Sequence, residues 1–261
     1  MNLIGENFSN LESLLYFGRA ITIGTTPKGR SFVAYILTAR SSSHQSRILE
    51  YNKEPLTIKT KITEPSLNIS EKERNLLEYS PIMALNKDII IAGNGVHTDL
   101  FQETFDKNKY KNLGSVGKVF SDFLIGGFYK NNIDVTKPEP DKYSTPRIFG
   151  FLDNSLAFLG IVKKGGDDES YQRIFNFNLK PGIAETITTY GGRDDKTLSS
   201  FSGNPLETNL TLGDPREITE CLYNVSNKNY IVSVALIMKK KRELDVFILN
   251  KEKKLINEFL L

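Results

Sequence analysis

The chain has 261 residues, 39% hydrophobic and 25% charged, enough apolar material for a folded core and unlike a disordered composition. Its formal net charge of +3 is too small to mark a nucleic-acid or membrane-surface protein. The single cysteine, Cys221, excludes an internal disulfide and a multi-cysteine metal site, and two histidines, His44 and His97, exclude a histidine-rich one.

Residues 1–15 contain Glu6 and Glu12 and no basic region followed by a long apolar core, so no secretory signal is expected there. From Gly18 to Leu37 the pattern predicts a β-hairpin. Ala20-Ile-Thr-Ile23 and Ser31-Phe-Val-Ala-Tyr-Ile-Leu37 flank the turn chemistry of Thr26-Pro-Lys-Gly29. The second strand is almost continuously apolar, which predicts a sheet covered on both faces. Further strands are predicted at Leu56–Ile62, Asp88–Ala92, Ile148–Leu152, Leu156–Val162, Arg173–Asn178, Ala184–Tyr190, Tyr230–Met238 and Leu244–Asn250.

Helices are fewer. His97 to Phe105 carries apolar residues at helical spacing after Asn94-Gly95, and Val116 to Leu124 is a second candidate. The clearest start is Asp214-Pro-Arg-Glu217, with Asp as N-cap, Pro at the first helical position and Glu at the third. Its periodic stretch contains Cys221, expected as a buried free thiol. Strands dominate both ends without βαβ alternation, so the expected fold is α+β with much antiparallel pairing, in one domain over 1–261. The proline-rich Thr136-Lys-Pro-Glu-Pro-Asp-Lys142 reads as a loop or lid, and Asp167-Asp168-Glu169 as a solvated turn. The longest apolar run, around Ile231 to Met238, is too short for a membrane helix, so a cytoplasmic protein is expected.

No Walker-type glycine loop, Gly-x-Ser-x-Gly elbow or His-Glu-x-x-His helix is present. The informative residues are arginines: ten of the 34 basic residues, several in short motifs with Tyr, Ser and Asn at strand ends. Arg19 lies in Tyr16-Phe-Gly-Arg19, Arg40 and Arg47 bracket Arg40-Ser-Ser-Ser-His-Gln-Ser-Arg47, and Arg147 ends Ser144-Thr-Pro-Arg147. A guanidinium fork suits a fixed phosphate or carboxylate, so these motifs point to a small multivalent anion. Asn94-Gly-Val-His-Thr-Asp99 joins a strand to a helix start, where amides can meet an anion or simply be capped.

Gly18-Arg19, Ala34-Tyr35 followed by Arg40-Ser41, Asn94-Gly-Val-His-Thr-Asp99, Thr145-Pro-Arg-Ile148 and Thr188-Thr-Tyr190 occur in an order that resembles the archaeal-type IMP cyclohydrolase family. Tyr171-Gln-Arg173 and Ser199-Ser-Phe-Ser-Gly203-Asn-Pro resemble its bacterial IMP cyclohydrolase-like branch. The resemblance covers about residues 16–238. It implies a four-layer αββα sandwich similar to the N-terminal-nucleophile hydrolases. It also implies the last step of inosinate synthesis, in which 5-formamidoimidazole-4-carboxamide ribonucleotide closes to IMP and water. That is a reaction of the cyclic-amidine hydrolase class run toward ring closure, with no cofactor and no metal. A purine ribonucleotide is the implied partner, nucleic acid and membrane are not, and a homo-oligomer is compatible with it. With Met1 at the start, no N-terminal nucleophile and no covalent step are implied.

Under this resemblance Arg40 and Arg47, with Ser41, are expected on the phosphate, and Thr145 and Arg173 in substrate binding. Arg19 and Arg147 are expected on the phosphate or at the formyl oxygen. Tyr35 and Tyr190 are expected to donate to that oxygen or stack on the imidazole. Asn94 would orient the carboxamide, and Asp99 or His97 would assist its proton loss. Two positions depart from the family pattern: Gln45, where many bacterial members carry arginine, and Tyr171, where they commonly carry cysteine. These favour an alternative reading, a non-catalytic purine-nucleotide-binding protein that kept the pocket.

Overall fold

Central strands that are apolar on both faces produce two stacked sheets. The computed structural model describes residues 7–64, 69–104, 123, 129–130, 133–154, 156–166, 169–192, 196, 198–241, 243–251 and 255–260. The first sheet is built around the expected hairpin, β1 (Arg19–Thr25) and β2 (Ser31–Thr38), with Arg19 opposite Leu37 and Thr25 opposite Ser31. A short helix α1 (Ser9–Glu12) precedes it and α2 (Ser42–Gln45) follows it. Next come β3 (Arg47–Asn52), β4 (Thr57–Ile62), α3 (Glu71–Leu77), β5 (Ile82–Ala84), β6 (Ile90–Gly93) and α4 (His97–Thr104). A two-stranded ribbon, β7 (Tyr129–Lys130) and β8 (Ile133–Asp134), leads to β9 (Arg147–Leu152), β10 (Ala157–Lys164), β11 (Ser170–Phe177), β12 (Ile183–Thr188) and β13 (Leu206–Asn209). The chain then forms α5 (Pro215–Val225), β14 (Ile231–Lys240), β15 (Glu243–Asn250) and β16 (Leu255–Leu260).

The strands pair as two seven-stranded sheets, β13-β12-β1-β2-β14-β15-β16 and β11-β10-β9-β6-β5-β4-β3, with antiparallel pairing throughout. This is the expected α+β class. All eight predicted strands beyond the hairpin are present, with no end shifted by more than three residues. The helix candidate at Val116 to Leu124 lies outside the described residues apart from Phe123, as do Phe105, Asp167 and Asp168.

Strand periodicity of two divides the core. Ile21, Ile23, Val33 and Leu37 of the first sheet meet Ile90, Ile148, Leu159 and Ile161 of the second. Gly150 permits close approach there, because a Cβ on it would lie 2.9 Å from the Ile21 side chain. On the opposite face of the hairpin, Ala20, Phe32, Ala34 and Ile36 pack with Ile218, Leu222 and Val225 of α5 and with Leu11 of α1. On the far face of the second sheet, Ile91, Phe149 and Phe151 pack with Leu100 and Phe101 of α4. The expectation that β2 is covered on both faces holds: Phe32 to Leu37 are all fully buried.

The α5 start follows the sequence signal, with Asp214 Oδ1 accepting the Arg216 N–H at 2.8 Å and Pro215 at the first position. Cys221 is buried, and burial pushes its thiol up to about 11. At the β3 edge a buried Asn250 joins the sheets. Its amide donates to the Leu49 carbonyl and accepts the Leu49 N–H at 2.9 Å, while Ser233 Oγ donates to it at 2.6 Å. No described helix is long and apolar enough to cross a membrane.

Candidate functional site

The strands of both sheets bring chemically active residues to one end of the stack, where β1, β9 and β14 begin and β2 and β12 finish. There a cavity of about 890 Å³ opens. Of the sequence-expected residues, Arg19, Arg40, Ser41, Thr145 and Tyr190 line it. Tyr16, Ser43, His44, Glu73, Asp141, Lys142, Tyr143, Lys196 and Tyr230 join them. Arg19, Arg40, Lys142 and Lys196 outnumber the carboxylates Asp141 and Glu73, so the cavity is electropositive.

Arg19 is the deepest of these cations. What surface it has faces the cavity, and protein encloses it otherwise. Burial works against its charge, and the oxygens of Tyr79, Tyr35, Tyr16 and Tyr190 outweigh that, so the guanidinium stays protonated. Its Nε has no hydrogen-bond partner. A buried donor without a partner is uncommon and costs about 1–3 kcal/mol. Gly18, at φ +74°, sets the turn into β1, and a Cβ there would lie 2.8 Å from the Tyr190 ring.

The walls are tyrosines. Tyr16 and Tyr190 stack with centroids 6.1 Å apart, and Tyr230 meets Tyr16 edge-on at 5.2 Å. At the rim the Arg40 guanidinium lies 5.2 Å from the Tyr16 ring centre and 5.9 Å from that of the exposed Tyr143. Ser41 caps α2 by accepting the His44 N–H at 3.3 Å. Burial, then Arg47 and Arg19, lower His44 to about 4, so at neutral pH its 3.6 Å contact with Glu73 is not an ion pair.

Two expected residues lie just behind the lining. Arg47 is buried and donates from Nε to the His44 carbonyl at 2.8 Å, with burial holding its pKa below the ordinary arginine value against an opposing pull from Tyr79. Tyr35 is fully buried with its hydroxyl 2.7 Å from that of Tyr79, and burial and Tyr79 keep its phenol well above the usual value.

The remaining expected residues are engaged elsewhere. Asn94 donates to the Pro146 carbonyl and accepts the Ile148 N–H, both at 2.8 Å, which ties the β6 end to the start of β9. His97 is fully buried with Nε2 3.1 Å from the Ile148 carbonyl; burial and then Arg147 lower it to about 3. Asp99 accepts the Ser80 N–H at 3.1 Å. Arg147 is buried in an ion pair with Glu139 and donates from Nε to the Lys137 carbonyl at 2.7 Å. It borders a separate, smaller cavity. Arg173 sits in a third cleft on β11, bonded to Gly203 O and Asn204 Oδ1. The expected loop or lid at Thr136–Lys142 is therefore anchored, through buried Glu139, as a wall between two cavities.

Sequence reading missed Asp141 and the tyrosines at 16 and 230. An Asx-type pattern was available for the first: Asp141 Oδ1 accepts the N–H groups of Tyr143 and Thr145, the local bonding that Asp favours in turns. The departures Gln45 and Tyr171 do not line the main cavity. Gln45 bonds to the carbonyls of Ala39 and Asn229 and to Lys251, and Tyr171 is exposed beneath Lys163.

An α+β protein with an electropositive, tyrosine-walled cavity of this size has the chemistry to take up a small anionic molecule carrying a flat ring. A family model described as IMP cyclohydrolase-like protein matches residues 16–122 and 128–243, and the chain belongs to that family. It is similar to the IMP cyclohydrolase of Methanocaldococcus jannaschii, 27% identical over 197 residues that cover 74% of this chain and 83% of the relative. To that of Thermococcus kodakarensis it is 24% identical over 228 residues, 87% and 94% of the two chains. The Methanococcus aeolicus enzyme is 27% identical over 181 residues, 67% and 74% respectively.

Proposed function

We propose that the protein is an IMP cyclohydrolase of purine biosynthesis, closing 5-formamidoimidazole-4-carboxamide ribonucleotide to IMP and water. The observation that carries this reading is Arg19, a half-buried guanidinium that lines an electropositive cavity of about 890 Å³ and is held charged by the surrounding tyrosine oxygens. Family membership supplies the reaction.

Ring closure joins the carboxamide nitrogen to the formyl carbon and expels water. The reacting groups already belong to one molecule, so the protein has to select the rotamer that brings them together and stabilise the oxygen that gains negative charge. In this reading Arg40, Ser41 and Ser43 hold the 5′-phosphate at the rim, with Arg47 adding positive potential from behind α2. Tyr16 and Tyr190 offer aromatic surface to the imidazole, and Arg19 receives the formyl oxygen. Asn94, Asp99, His97 and Arg147 are assigned to holding the walls, on the bonding described above, and Arg173 to a different surface.

The same reading takes the two sheets, with α1 and α5 outside one and α4 outside the other, as a single domain of the four-layer αββα kind found in N-terminal-nucleophile hydrolases. It places the protein in the cytoplasm, where this small-molecule chemistry runs. Purified protein given the formamido ribonucleotide is expected to produce IMP, followed by ultraviolet absorbance, faster than a buffer control. No production alongside tight IMP binding would make it a non-catalytic nucleotide binder.

A further inference from the structure

Three oxygens in the cavity wall form a chain whose direction is fixed by chemistry. Asp141 Oδ2 lies 2.5 Å from Thr145 Oγ1, and Thr145 Oγ1 lies 3.0 Å from the Tyr190 hydroxyl. Asp141 Oδ1 meanwhile accepts the N–H groups of Tyr143 at 3.1 Å and Thr145 at 2.9 Å. A carboxylate only accepts, so Thr145 gives its single proton to Asp141. Thr145 then meets Tyr190 with a lone pair, which makes the tyrosine the donor in the second bond. The Tyr190 oxygen is therefore left with lone pairs, not a proton, for the cavity that all three residues line.

Arg19 has the opposite polarity. It is donor-only and lines the same cavity. Together the two suit a ligand that presents a carbonyl oxygen to one and an N–H to the other. We infer that Asp141, Thr145 and Tyr190 form a proton relay that takes a proton from the carboxamide nitrogen as the ring closes, with Asp141 as its terminal acceptor. This inference rests on the cyclohydrolase reading and assigns Tyr190 as an acceptor rather than a donor to the formyl oxygen.

The step balances without a co-reactant. The carboxamide nitrogen bonds to the formyl carbon, and the carbonyl π pair moves to the formyl oxygen beside Arg19. One nitrogen proton passes to Tyr190 as the Tyr190 proton passes to Thr145 and the Thr145 proton to Asp141. The relay then runs back and returns a proton to the new alkoxide. The C–O bond breaks as the former formamido nitrogen forms the ring double bond, and the proton of that nitrogen leaves with the hydroxide as water. Asp141 ends ionised, as it began. It acts through two other residues and is a positioning residue, not a group in contact with the reacting atoms.

Asp141→Asn tests the direction of the chain. An asparagine can still accept the two backbone N–H groups, but its amide donates to Thr145 and reverses both bonds. Turnover of the formamido ribonucleotide is expected to fall by about a hundredfold in Asp141→Asn and Thr145→Val, the usual scale of a lost proton-transfer path. Thr145→Ser should restore it, and the double variant should be no slower than either single one. If the wild type turns over and both variants keep its rate, the relay is overturned and the cyclohydrolase reading stands. If the wild type forms no IMP, the reading beneath it falls instead.

Discussion

Arg19 keeps surface toward the cavity, whereas Arg147 is fully buried and spent on the fold. Its partner Glu139 comes from a proline-rich loop eight residues earlier, a pairing that neither spacing nor composition announces. The sequence marks both arginines as candidates for an anion. Only the three-dimensional neighbours divide them, because a guanidinium already facing a carboxylate has little left for a ligand. His97 shows the same effect for a titrating group. It looks like a general base by its ordinary pKa, yet burial and Arg147 lower it from 6.5 to about 3. The folded state thus holds it neutral while the unfolded chain takes up a proton, so its contribution to stability is complete above about pH 6.5 and lost as the pH falls toward 3. His97→Gln should flatten the pH dependence of the urea midpoint across that interval. A slope equal to the wild type would count against a buried neutral imidazole.

Among the elements, those with local signals were readable in advance. The β1–β2 hairpin carries its own turn, and α5 carries its cap and its apolar stripe, so each appears where expected. Strand β3 was missed: Glu50 and Asn52 leave it with a polar face, Arg47 breaks the apolar run of the other, and its place at a sheet edge is set by distant chain. What fixes that edge is Asn250, 201 residues away, which satisfies both backbone groups of Leu49. Asn250→Ala would leave buried backbone polar groups of Leu49 unpaired, at a cost of about 1–3 kcal/mol that a denaturant titration will register. An unchanged midpoint would mean that the sheets are joined there by packing alone.

For the whole molecule, the cavity belongs to no single segment. Its lining runs from Tyr16 to Tyr230 and is assembled only because strands from two sheets start or stop at the same end. Order along the chain therefore revealed the family, and five of the expected residues do reach the cavity, while Asp141 and the tyrosine walls needed the fold to be seen. The central claim is that ring closure takes place against Arg19. Single-turnover conversion of the formamido ribonucleotide by Arg19→Gln measures it most directly, with thermal unfolding as a check that the fold is intact. We predict a rate lower than the wild type on the order of a hundredfold, the scale of a lost oxyanion donor; an unchanged rate in a folded variant would contradict the account.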